Sequence, residues 1–79
     1  MWLWIDSPQW TVRVDLDRHG NVKKLPPILI KQYKTFFGMS YQRFVHQIMH
    51  DYKRMDYLII KEYDEKGFVH LRGWTLEQS

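Results

Sequence analysis

The chain has no cysteine, so disulfides and thiolate zinc ligands are excluded and nothing in the composition points to an oxidising compartment. A reducing cytoplasm is the expected location. Long hydrophobic runs are also lacking. The apolar start MWLWI stops after five residues and has no basic n-region, so it reads as a strand or a docking arm, not as a signal peptide or membrane anchor. Glycine occurs four times and proline three times, too sparsely for a flexible linker or low-complexity segment. Acid is scarce in the middle: from Arg18 to Arg54 eight basic residues face Asp51 alone, a net of +7, while the flanks hold four basic residues against eight acids, a net of −4. A basic centre of this kind suits a polyanionic partner.

What remains is the composition of one small globular domain: 79 residues, 44% hydrophobic and 27% charged. Aromatic residues reach 16%, with four tryptophans and five tyrosines, more than so small a core readily absorbs. Some of them are expected on a surface that meets a partner.

Residues 11–25 predict a β-hairpin. TVRVDL alternates Val12, Val14 and Leu16 with Arg13 and Asp15, the period of a half-buried strand. Residues 57–76 predict a second hairpin. Both loops share the pattern DxxGxV, in which Asp17 or Asp64 opens the turn and Gly20 or Gly67 takes a positive φ. Between them, residues 27–54 predict a helix pair. Pro27 suits the first position of a helix, Leu29, Tyr33, Phe36 and Phe37 follow at helical spacing, and Gly38 stops the run. Ser40 is the expected N-cap of the next helix, whose Tyr41, Phe44, Val45, Ile48, Met49, Tyr52 and Met55 form an i, i+3, i+4 stripe. The expected class is α+β in the order ββααββ, with residues 1–10 as an N-terminal arm or strand.

The stripe assigns the motif HQIMH. With the apolar face turned inward, Arg43, His46, Gln47, His50 and Arg54 fall on the other side and meet solvent or a partner. A catalytic zinc site needs a glutamate directly after the first histidine, and Gln47 stands there, an amide unable to take a proton. A structural zinc site needs further ligands, and Asp51, His70 and His19 lie at no telling spacing. DLDRHG opens like a calcium loop, but Pro26 occupies the position of the bidentate glutamate. Ser7, Ser40 and Ser79 lack a nucleophile-elbow context, no glycine-rich loop precedes a helix, and the pairs Asp15 with Asp17 and Asp64 with Glu65 belong to hairpin edges and turns. No catalytic residue, metal or cofactor is expected.

The segment IKQYKTFFGMSYQRFVHQIM resembles a helix-turn-helix: an apolar-faced helix, Gly38 at the turn, Ser40 capping a second helix, and Phe44 and Ile48 packing that helix inward. The hairpin that follows it resembles the wing of winged helix-turn-helix proteins, so the likeness extends over residues 27–74. This resemblance implies a recognition helix beginning at Ser40. Tyr41, Gln42, Arg43, His46, Gln47 and His50 would face a groove, Lys53 and Arg54 would follow in the same helix, and Lys66 would meet phosphate from the wing tip. Arg and Gln are suited to base edges, and His to either base or phosphate. The functional expectation is a non-enzymatic regulator that binds nucleic acid, double-stranded DNA in preference to RNA. The alternative is a small protein-binding inhibitor or adaptor, supported by Trp2, Trp4, Trp10 and Trp74 near the acidic ends. A homodimer joined through the N-terminal arm is also expected.

Overall fold

A computed structural model of the chain describes residues 1–64 and 66, together with the strand path of 69–77. The elements are β1 (Trp2–Asp6), β2 (Thr11–Leu16), β3 (Val22–Lys24), α1 (Pro27–Tyr33), a 3-10 turn (Lys34–Phe36), α2 (Tyr41–Asp51), β4 (Tyr57–Tyr63) and β5 (Val69–Glu77). The class is α+β as expected, but three strands precede the helices instead of two. The strands form one antiparallel sheet in the order β3-β2-β1-β4-β5.

Of the two readings of residues 1–10, arm or strand, the structure has the strand for Trp2–Asp6, and it is the central one of the sheet. Leu3 pairs with Val14 on one side and Glu62 on the other, and Ile5 with Val12 and Ile60. Leu3, Ile5, Val14, Leu16, Leu58 and Ile60 are buried on the face that the helices cover. Period two then sends Trp2 and Trp4 to the opposite, open face. The β1–β2 turn is closed by Ser7, whose hydroxyl accepts from the Trp10 N–H at 3.1 Å and donates to the Trp10 carbonyl at 2.7 Å.

The helical layer and the link that leads into it supply Leu25, Leu29, Tyr33, Tyr41, Phe44, Val45 and Ile48 to the same core. Each such aliphatic or phenylalanine side chain stabilises the fold by roughly 1.5–3 kcal/mol relative to exposure. The ring of Tyr33 meets Phe44 edge-on at 5.5 Å, and its hydroxyl donates to Asp51 Oδ2 at 2.6 Å. Phe36 packs on Phe44 at 5.9 Å. Phe37, which the sequence puts at helical spacing with Leu29, Tyr33 and Phe36, is exposed. The α-helix ends at Tyr33 and the 3-10 turn changes the angular phase, so the i+4 neighbour of Tyr33 no longer lies below it.

Residues 37–41 dock onto the edge of β3. The Gly38 N–H donates to the Val22 carbonyl at 2.8 Å, the Val22 N–H to the Met39 carbonyl at 2.8 Å, and the Tyr41 N–H to the Gly20 carbonyl at 2.9 Å. Ser40 begins α2 without a side-chain cap bond. A distant carbonyl from the β2–β3 turn takes one of the open N–H groups at the helix start. Gly20 and Gly38 both have φ of +81°, as their turn positions require. Asp17 opens its turn by accepting from the N–H groups of His19 at 2.8 Å and Asn21 at 2.9 Å. Asp64 does the same for Lys66 at 2.8 Å, while Gly67 lies outside the described residues. Among the described residues, no helix is long and apolar enough to cross a membrane.

Candidate nucleic-acid interface

α2 buries Tyr41, Phe44, Val45 and Ile48, so its other face is the one available to a partner. Gln42, Arg43, His46 and His50 are exposed on that face. Tyr41, expected both in the apolar stripe and at the groove, belongs to the core at 7% exposure. Its ring lies against Gly20, where an added Cβ would meet it at 3.4 Å. Gln47 is half-buried, and its amide donates to Asp51 Oδ1 at 2.9 Å within the helix. That bond spends the amide on the helix itself.

Asp51 is the sole acid of α2, and both its carboxylate oxygens are engaged, one by Tyr33 and the other by Gln47. Burial, together with the bond to Asp51, holds the Tyr33 hydroxyl proton well above the ordinary tyrosine range. The exposed residues of the helix thus carry amide, guanidinium and imidazole groups and one carboxylate, Asp51, which Tyr33 and Gln47 engage.

The helix ends at Asp51, not at residue 54. Tyr52 closes it by donating its N–H to the Ile48 carbonyl at 2.9 Å, and Lys53 and Arg54 are exposed in the connecting turn. Antiparallel pairing decides which candidates share an end of the molecule. Trp2 pairs with both Asp15 and Tyr63, so the β2–β3 turn and the β4–β5 turn lie at one end of the sheet. The start of α2 docks there too, which brings Gln42, Arg43 and Lys66 to the same end. Lys53 and Arg54 lie at the other end, where Tyr52 meets Trp10 edge-on at 5.4 Å. With about 1.5 Å of rise per residue, the eleven residues of α2 hold the two groups roughly 16 Å apart.

Arg18 and His19 are exposed in the turn that receives the start of α2 and border the interface. Sequence reasoning counted Arg18 in the basic centre and did not place either residue beside the helix. The only available signal was their position in a hairpin loop. Among the described residues, no three His, Asp or Glu side chains come together as a metal site requires. The chain matches no protein family, no curated protein and no solved structure.

Proposed function

We propose that this chain is a small non-enzymatic nucleic-acid-binding protein that contacts double-stranded DNA through the outer face of α2, in a regulatory role. The observation that carries the reading is the composition of that face. Gln42, Arg43, His46 and His50 are presented by a helix whose inner side is fully committed to the core, and its only carboxylate is held by Tyr33 and Gln47. Arg43 is suited to a guanine edge or a phosphate, and Gln42 to an adenine edge. Lys66 on the β4–β5 turn, together with Arg18, supplies phosphate contacts at the same end of the sheet, an arrangement that resembles a wing beside a recognition helix.

The test is a titration of the purified protein with random duplex DNA at low and moderate salt. Binding at micromolar strength or better is expected in low salt, with a steep loss as salt rises. Arg43→Ala is expected to weaken binding by about 1–3 kcal/mol and leave the melting temperature unchanged, because an exposed side chain supports no core. No binding at low salt would overturn the reading in favour of a protein partner.

A further inference from the structure

The open face of the sheet carries chemistry that the α2 reading does not use. Trp2 stands on the central strand at the end of the sheet, stacked against Tyr63 from β4 at 4.0 Å and 5°, with the Arg13 guanidinium from β2 over its ring at 4.3 Å. Both faces of Trp2 are therefore taken by neighbours on opposite strands. Trp4 is turned 80° to Trp2 at 6.2 Å and is 38% exposed. It is the ring of this row with surface to offer.

Beside the row, Met1, Arg13, Asp15, Leu16, Lys23 and Lys24 line an open pocket of about 380 Å³. Its acid, Asp15, is already paired with Arg13 at 2.7 Å. Lys23 and Lys24 are exposed, and no described ion pair engages them. Lys61 pairs in register with Trp4 and adds a cation on the other flank.

We propose that this open face binds single-stranded nucleic acid, with phosphates held by Arg13, Lys23 and Lys24 in the pocket and an unstacked base on the exposed ring of Trp4. An aromatic ring on a sheet meets the face of a base only when that base is free of its duplex stack, which selects single strands. The pocket falls within the common size range for small-ligand sites of roughly 300–1,000 Å³, enough for a phosphate and its sugar. Arg13 has a structural share as well, since its contact with Trp2 fixes the row from which Trp4 projects. The site lies on the side of the sheet opposite α2 and does not depend on duplex binding there.

The experiment uses the full chain and a labelled oligothymidylate, read by fluorescence anisotropy at low salt, with an unlabelled duplex as competitor. Trp4→Ala is expected to weaken single-strand binding about 5- to 100-fold, the range for loss of one base–aromatic stack. Lys23→Glu combined with Lys24→Glu is expected to weaken it tenfold or more and to flatten its salt dependence. Lys31→Glu, on the exposed side of α1, is expected to leave it unchanged. The oligothymidylate should remain bound in the presence of duplex. Duplex failing to bind at all while single strands bind would sink the α2 reading and leave this one standing. Three results would overturn the proposal: no single-strand binding, displacement of the oligothymidylate by duplex, or sedimentation showing a dimer that Trp4→Ala dissociates. The last would mean that a second copy of the chain covers the face. Should Trp4→Ala unfold, the double lysine variant alone decides the matter, since both side chains are exposed.

Discussion

Removing the hydroxyl of Tyr33 tests the polar contact between the helices. Tyr33 is 1% exposed, and Tyr33→Phe keeps its ring against Phe44 while deleting the 2.6 Å bond to Asp51 and the lesser hydroxyl contact with Tyr52. A hydrogen bond to a charged acceptor contributes about 1.5–3 kcal/mol. Asp51 is exposed and can exchange the lost donor for water, so the lower part of that range applies, about 1.5–2 kcal/mol. For a domain of this size each kcal/mol moves the melting temperature by about 4–8 °C, which gives a fall of roughly 6–16 °C. The pH dependence adds a second readout. Burial and the bond to Asp51 raise the Tyr33 pKa above its ordinary 10.0, so the folded protein retains a proton that the unfolded chain releases. This contribution is fully present below pH 10 and is lost as the pH rises through the raised folded value. Urea midpoints measured from about pH 8 to about pH 11 should fall in wild type, and the fall should be shallower in Tyr33→Phe because its share is gone. A variant with the wild-type midpoint at neutral pH and the same alkaline decline would refute this account of the helix pair.

Phe44→Ala empties the centre of α2 where Tyr33 and Phe36 converge, and a loss of about 3–5 kcal/mol is expected in urea denaturation; an unshifted midpoint would show that the helix packs through its other face. Gly20→Ala and Gly38→Ala each place a side chain at φ +81° and should cost about 1–2 kcal/mol by thermal melting. The steric part is small at both, since a Cβ at Gly20 meets Tyr41 at 3.4 Å and one at Gly38 meets nothing within 4 Å, so a much larger loss at either would contradict the turn geometry. Asp17 has its pKa lowered below 3.8, chiefly by the backbone N–H of Asn21, so it contributes stability above that pH that is lost as the pH falls through the depressed value. Asp17→Asn should flatten the acid side of a melting-temperature profile, and an unchanged acid limb would argue against the turn bonds.

The features written in local periodicity were legible in the sequence. Phe44, Val45 and Ile48 lie on the stripe that assigns the buried face of α2, and the alternation in TVRVDL gives β2. Asp17 and Gly20 mark a turn through their own side-chain and backbone chemistry. Features fixed by distant pairing were not legible. WLWID is apolar on both faces, so its alternation is hidden, and no local signal says that β1 lies between β2 and β4. Ser40 has the chemistry of a cap, yet the Gly20 carbonyl receives the Tyr41 N–H, a partner that only the folded sheet supplies. At the candidate interface, Arg43, His46 and His50 followed from the helix face and Gln42 from the helix-turn-helix resemblance, whereas Gln47 is half-buried and Tyr41 sat on the boundary between faces and fell to the core. The end-to-end separation of Arg43 from Lys53 and Arg54 depends on the strand order and could not be read from spacing.

The central place of β1 also shapes how the chain reaches its fold. β1 bonds β2 across a short turn, but its other partner is β4, which enters the sequence only after both helices. Closing that second ladder requires a long loop to be brought together before the pairing can repay its entropy, and topologies of this kind fold more slowly than those built from local contacts. β1 is thus among the last strands to be completed. Deleting residues 1–6 would leave the β2–β3 and β4–β5 hairpins with no strand between them. Such a chain should populate a collapsed intermediate with the hairpins formed and the sheet open, detectable as far-ultraviolet signal without hydrogen-exchange protection of the β2 and β4 amides that β1 would pair.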